Sequence, residues 1–180
     1  MTETIFTIGH STRPIDEFIH LLRTHGVQKV LDVRTIAKSR HNPQFGETEL
    51  AASLREAGLG YQRLKTLGGL RHSSAAFESI NGAWRNASFR AYADYMQTPA
   101  FDAGIDKLIA LGKDERVVIM CAEAVPWRCH RSLIGDALLA RGIEVLDIMS
   151  KKAARTHALT HFARVDGLRV TYPPEEEMQE

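Results

Sequence analysis

Four short runs of β-branched and aliphatic residues recur along the chain: TIFTI at 4–8, KVLDV at 29–33, VVIM at 117–120 and EVLDIM at 144–149. Segments with helical spacing of apolar residues lie between them. After Pro14, which suits a first helical turn, come Ile15, Phe18, Ile19 and Leu22, with Gly26 as the stop. A second such segment over about 47–57 carries Leu50, Ala51, Leu54 and Ala57, and two more cover 89–97 and 101–111. A last one places Leu133, Ile134, Ala137 and Leu138 on one stripe before Gly142. Residues 60–64 and 168–172 read as further strands. Strands alternating with helices predict an α/β fold, a single Rossmann-like three-layer domain with a mainly parallel sheet.

This pattern limits the rest. With 180 residues the chain has room for one domain, expected over 1–172, followed by an acidic tail at 173–180. No apolar run reaches the roughly 18–20 residues of a membrane span, and no secretory leader is evident at MTETIFTIGH. Two cysteines do not make a disulfide scaffold. The expectation is a cytoplasmic protein with reduced thiols, no membrane partner, no cofactor and no metal; Cys121, Cys129 and His130 lack a second ligand pair. The formal net charge of +1 hides an asymmetry. Glu175, Glu176, Glu177 and Glu180 all lie in the tail, leaving 23 bases against 18 acids on residues 1–172.

In open α/β sheets ligands bind beyond the carboxyl ends of the strands. Those ends carry the chemistry here. The first run ends in Gly9-His10-Ser11, the second in Asp32-Val33-Arg34, the third near Gly68-Gly69-Leu70-Arg71, and the fourth in CAEAVPWRCHRS at 121–132. These loops hold Arg34, Lys38, Arg40, Lys65, Arg71, Arg128 and Arg131 against Glu123 alone. A helix starting near Cys129 or His130 would add outward N–H groups and a positive dipole end. Arg128 and Arg131 add forked donors suited to phosphate. Asp32, inside an apolar run, is expected to orient a neighbouring arginine or a backbone loop rather than do chemistry. Trp84 and Trp127 read as packing residues, although Trp127 lies in the fourth loop and could cover a ligand; His157 and His161 read as one polar helix face.

These residues together carry a likeness. IGHS at 8–11, DVR at 32–34, Ser39-Arg40 with Phe45 downstream, Tyr61, LGGLR at 67–71 and MCAEAVPWRCHR at 120–131 resemble the DUF488 family, a group of uncharacterised proteins. The resemblance runs over most of residues 5–150. It implies a compact α/β domain whose matching residues surround one pocket, without a settled activity; proposals for such proteins include nucleic-acid or nucleotide metabolism. The family pattern's proline before the serine of the second loop is Ala37 here, so a less rigid loop is expected.

Three functions compete. The first is an enzyme that holds a phosphate-bearing, nucleotide-like or nucleic-acid substrate and cleaves or exchanges an N-glycosidic bond. Glu123 would stabilise or attack the cationic sugar centre, as carboxylates do in glycoside hydrolysis. Tyr61 would stack on the base, and His10 or His130 would protonate the leaving group. It requires Glu123 to be free of Arg128 and Arg131. The second is rhodanese- or phosphatase-like thiol chemistry at Cys121 or Cys129. The third is a non-catalytic module binding nucleic acid or another anion. The candidates are Glu123, Cys129 and Cys121 for catalysis, and His10, Ser11, Arg34, Tyr61, Arg71, Arg128, His130 and Arg131 for binding.

Overall fold

A computed structural model describes residues 3–69, 71 and 79–174. Five parallel strands, β1 (Thr4–Gly9), β2 (Lys29–Asp32), β3 (Gly60–Arg63), β4 (Val117–Cys121) and β5 (Glu144–Ile148), form one sheet with the antiparallel edge strand β6 (Arg155–Thr156). The order across the sheet is β3-β2-β4-β1-β5-β6. Five helices connect them: α1 (Ile15–Thr24), α2 (Glu47–Glu56), α3 (Ala87–Tyr95), α4 (Pro99–Asp114) and α5 (Arg131–Ala140).

The period-two alternation of each strand divides the core into two layers. Phe6, Ile8, Val30, Val118, Met120 and Ile148 face α1 and α2, meeting Phe18, Leu22, Leu50 and Leu54. Ile5, Leu31, Val117, Ile119 and Val145 face the opposite way, against Ile105 and Leu108 of α4 and Leu133, Ile134 and Leu138 of α5. Burying one such side chain completely contributes roughly 1.5–3 kcal/mol, so the two layers hold the helices on both faces. This is the expected three-layer α/β domain with a mainly parallel sheet.

Two expectations change, and a third falls largely outside the described residues. The strand near 168–172 exists as β8 (Arg169–Thr171), but it pairs with β7 (Arg164–Asp166) in a separate two-stranded sheet. Residues 157–161 are not helical, so His157 and His161 share no helix face. Of the tail expected at 173–180, residues 175–180 lie outside those described.

Topology places the site. Parallel register sets Gly9 opposite Cys121 and Asp32 opposite Met120, so β1, β4 and β2 end abreast. From β1 the chain leaves over the α1 face; from β4 it leaves over the α5 face. The crevice between these diverging connections is the switch point of the sheet.

Candidate functional site

A cleft of about 350 Å3 lies over that crevice. Its wall comes from β1 (His10), the loop after β2 (Arg34, Lys38, Ser39), the start of α3 (Phe89) and the segment after β4 (Cys121, Glu123, Arg128, Cys129, His130). Gly9 makes the junction possible. A Cβ there would overlap the backbone carbonyl of Glu123, so only glycine lets β1 end against this segment. Ser11, at φ 52°, takes a left-handed conformation, and its N–H donates to the Ala122 carbonyl (3.0 Å).

Arg34 is fixed from beneath. Its Nε donates to Asp32 Oδ1 (2.9 Å) and its Nη2 to Oδ2 (2.8 Å), a bidentate buried pair. The Tyr61 hydroxyl donates to the same carboxylate (2.5 Å), and burial together with this anion holds the phenol above its ordinary pKa. Asp32 therefore orients Arg34, as its place in an apolar run indicates. Tyr61 supports the site from outside the cleft lining. Arg34 Nη1 is left to meet His10 Nε2 (3.4 Å).

Both histidines are committed. His10 Nδ1 lies 2.8 Å from the Ser11 carbonyl and must donate to it, which leaves Nε2 as acceptor toward Arg34. The ring stacks on Phe45 at 4.2 Å. His130 Nε2 donates to the Val33 carbonyl (2.9 Å), and its Nδ1 faces Cys129 Sγ (3.4 Å). Gly69 gives this ring its space, since a Cβ there would sit 2.6 Å from Nδ1. Burial lowers the pKa of each histidine to about 4, so both are neutral at pH 7. Neither is set up to protonate a leaving group.

The segment after β4 is held by Arg131, which is 1% exposed. Its guanidinium donates to the Glu123 carbonyl (3.1 Å), the Ala124 carbonyl (3.4 Å) and Thr7 Oγ1 (3.2 Å). It lies under the cleft rather than in its lining. The helix start is also spent. The N–H groups of Arg131, Ser132 and Leu133 donate to Cys129 Sγ, the Cys129 carbonyl and the His130 carbonyl. The positive edge thus rests on side chains, not on helix amides. Arg71 lies away from the cleft lining, bonded to the Gly68 and Thr66 carbonyls and stacked 3.6 Å over Tyr95. Ser11 and Tyr61 do not line it either.

Glu123 and Arg128 are both exposed, and among the described residues neither side chain has a hydrogen bond or ion pair. Cys121 and Cys129 are free and buried. Burial pushes the Cys121 thiol up, but its bond to Cys129 and the Arg131 charge outweigh this and bring it below the ordinary value. Its bond to Cys121 and its burial push Cys129 well up. Trp127 is 55% exposed and lines a different hollow of about 450 Å3 with Arg155, His157 and Phe162. Trp84 packs against Phe89, Phe162 and Tyr172. Among the described residues no three His, Cys, Asp or Glu side chains are grouped to hold a metal, and no helix is long and apolar enough to cross a membrane.

Some contributors are not legible in the sequence. Phe89 reads there as an ordinary helix residue. Arg13 donates to the Gly9 and Met149 carbonyls at the ends of β1 and β5. In the loop that lacks proline, the Ala37 carbonyl accepts the Glu47 N–H (2.8 Å), which ties it to α2.

Fold and site together define a class: a three-layer α/β domain with one cleft at the switch point of its sheet. Within that class, the chain belongs to the family described as "Domain of unknown function DUF488", whose model matches residues 14–138. The matched span includes β2, β4 and the Cys121–Arg131 segment, while the turn at Gly9-His10-Ser11 precedes it. No curated protein and no solved structure matches the chain.

Proposed function

We propose that the cleft binds a phosphate-bearing, nucleotide-like ligand and that Glu123 acts on its N-glycosidic bond. The reading rests on one observation: Glu123 is an exposed carboxylate in the cleft with no ion pair among the described residues, although Arg128 shares its wall and Arg131 lies in the same segment. A carboxylate left unpaired among cations keeps its oxygens open to a ligand. Lys38, Arg128 and the cleft-facing edge of Arg34 receive phosphate, with Ser39 as a further donor. Phe89 offers a ring for the base. As the glycosidic bond lengthens, positive charge grows at the anomeric carbon, and Glu123 stabilises it or bonds to it. Proton supply to the leaving base falls to water or the ligand, because His10 and His130 are neutral with their N–H groups on carbonyls.

The test is a panel of nucleoside monophosphates measured for binding by calorimetry and for release of free base. Glu123→Gln should lower turnover at least about 100-fold and leave affinity within about threefold, because a neutral amide cannot stabilise the cationic centre. Arg128→Ala should weaken binding about 10-fold or more. Retained turnover in Glu123→Gln would sink the glycosidic reading. A second reading, nucleophilic thiol chemistry, is supported by Cys121 lying beside the Arg131 charge; loss of turnover in Cys121→Ser alone would favour it. Binding without turnover of any probe would leave a non-catalytic anion-binding module.

A further inference from the structure

The buried guanidinium of Arg131 is incomplete as a charge system. Among the described residues it has no carboxylate within ion-pair distance, its polar partners are two carbonyls and a hydroxyl, and its Nε has no partner. A buried cation without a counter-ion favours an anion beside it. Two thiols lie beside it: Cys121, at the end of β4, donates its S–H to the Glu123 carbonyl (3.7 Å) that also accepts from Arg131 Nη2 (3.1 Å), and Cys129, in the turn before α5, accepts the Arg131 backbone N–H at Sγ (3.5 Å). Both thiols are free and buried, and both line the cleft. We infer that Cys121 and Cys129 form a hydroperoxide-reactive dithiol that closes to a reversible intramolecular disulfide on the floor of the cleft.

The surroundings divide the roles. Arg131 stabilises Cys121 as thiolate, the nucleophilic form. Cys129 keeps its proton, and its S–H faces His130 Nδ1, whose other nitrogen is committed to the Val33 carbonyl. In the first step the Cys121 thiolate attacks the terminal oxygen of a hydroperoxide. The S–O bond forms, the O–O bond breaks, and the alkoxide leaves as alcohol after taking a proton from solvent. Cys121 is then a sulfenic acid. In the second step the Cys129 sulfur attacks the Cys121 sulfur. The S–S bond forms, the S–O bond breaks, and the Cys129 proton goes to the leaving hydroxide, which departs as water. Two thiols are oxidised and one hydroperoxide is reduced to alcohol and water. The ring so closed contains Glu123 and Arg128, so oxidation would pin the segment that carries the cleft's free carboxylate and one of its cations. Neither group takes part in the thiol chemistry, so the inference stands or falls apart from the ligand reading.

The experiment exposes the folded full-length chain to hydrogen peroxide, blocks remaining thiols with N-ethylmaleimide and digests with trypsin. Cleavage at Arg116, Arg128 and Arg131 puts Cys121 in peptide 117–128 and Cys129 in peptide 129–131. The expected result is a monomer lighter by two hydrogens, the two peptides joined, and full reversal by dithiothreitol. Formation should be about 10-fold faster than in the urea-unfolded chain, because the built site supplies the thiolate and holds the second thiol at the same cleft. Cys129→Ser should stop at a sulfenic acid that dimedone captures, and Cys121→Ser should give no adduct. Two free thiols after peroxide, joining only between separate chains, equal rates folded and unfolded, or an adduct on Cys129 but not Cys121 would each overturn the inference. The wild-type arms decide the matter even if a variant fails to fold.

Discussion

At the scale of single residues, the most consequential positions hold others in place. Asp32 is completely buried and tied to Arg34, Tyr61 and the Arg34 backbone N–H. Arg34→Ala should cost about 3–5 kcal/mol in urea denaturation, because it leaves a buried carboxylate without its cation. A smaller change, Tyr61→Phe, removes one hydrogen bond to a charged acceptor and should cost about 1.5–3 kcal/mol. Equal losses for the two variants would mean that the ion pair is not the main support. Gly9→Ala is a steric test: the segment after β4 must move for the methyl group to fit, so ligand affinity should fall even where the protein stays folded. Several of these roles were visible in the sequence. An aspartate inside an apolar run demands a partner, and Arg34 two residues on was the nearest. The role of Gly9 was not visible, since the carbonyl that excludes a side chain comes from Glu123, more than a hundred residues away.

At the scale of elements, α5 joins the cleft to a buried polar chain. Arg131 donates to Thr7, whose hydroxyl donates to Asp147; His157 lies between Asp147 (3.6 Å) and Asp136 (3.0 Å), and the Tyr172 hydroxyl also donates to Asp136 (2.7 Å). Gly135 on α5 leaves room for the His157 ring. Burial opposes the charge on His157, but the two aspartates outweigh it and raise the pKa to about 9. The folded state therefore binds the His157 proton more tightly than the unfolded chain does. Its contribution to stability is complete below about pH 6.5 and is lost as pH rises through 9. His10 and His130 act in the opposite sense. Each has a folded pKa near 4, so the unfolded chain takes up their protons first as pH falls, and stability declines from about pH 6.5 toward 4. Denaturation midpoints across this range should peak near neutrality. His157→Gln should flatten the alkaline limb and leave the acid limb; an unchanged alkaline limb would show that the aspartates do not hold a charged ring. The sequence spacing of His157 and His161 pointed to a helix face, because i, i+4 pairs suit a helix. The aspartates on α5 and β5 instead draw residue 157 into the core as part of an extended segment.

For the whole molecule, the central strands β1, β2 and β4 carry the cleft, while β6 and the β7–β8 pair stand at the margin. Amide exchange should reflect this: residues 118–120 should exchange only through global unfolding, and residues 155–171 through local opening at lower cost. Equal protection would mean that the margin unfolds together with the sheet. By itself the sequence determined the alternation of strands and helices, the three layers, the DUF488 membership and the loops that hold polar groups. These follow from apolar period and local motif, which short stretches of chain carry within themselves. Only the tertiary structure decided which of those polar groups face one another. It directed Lys38, Arg34 and Arg128 to the cleft, Arg131 beneath it, and Arg71 onto Tyr95. It also left Glu123 without an ion pair among the described residues and brought both cysteines to the cleft wall. Side-chain partners are chosen by strand order and register across the sheet, and those depend on contacts between residues far apart in the chain.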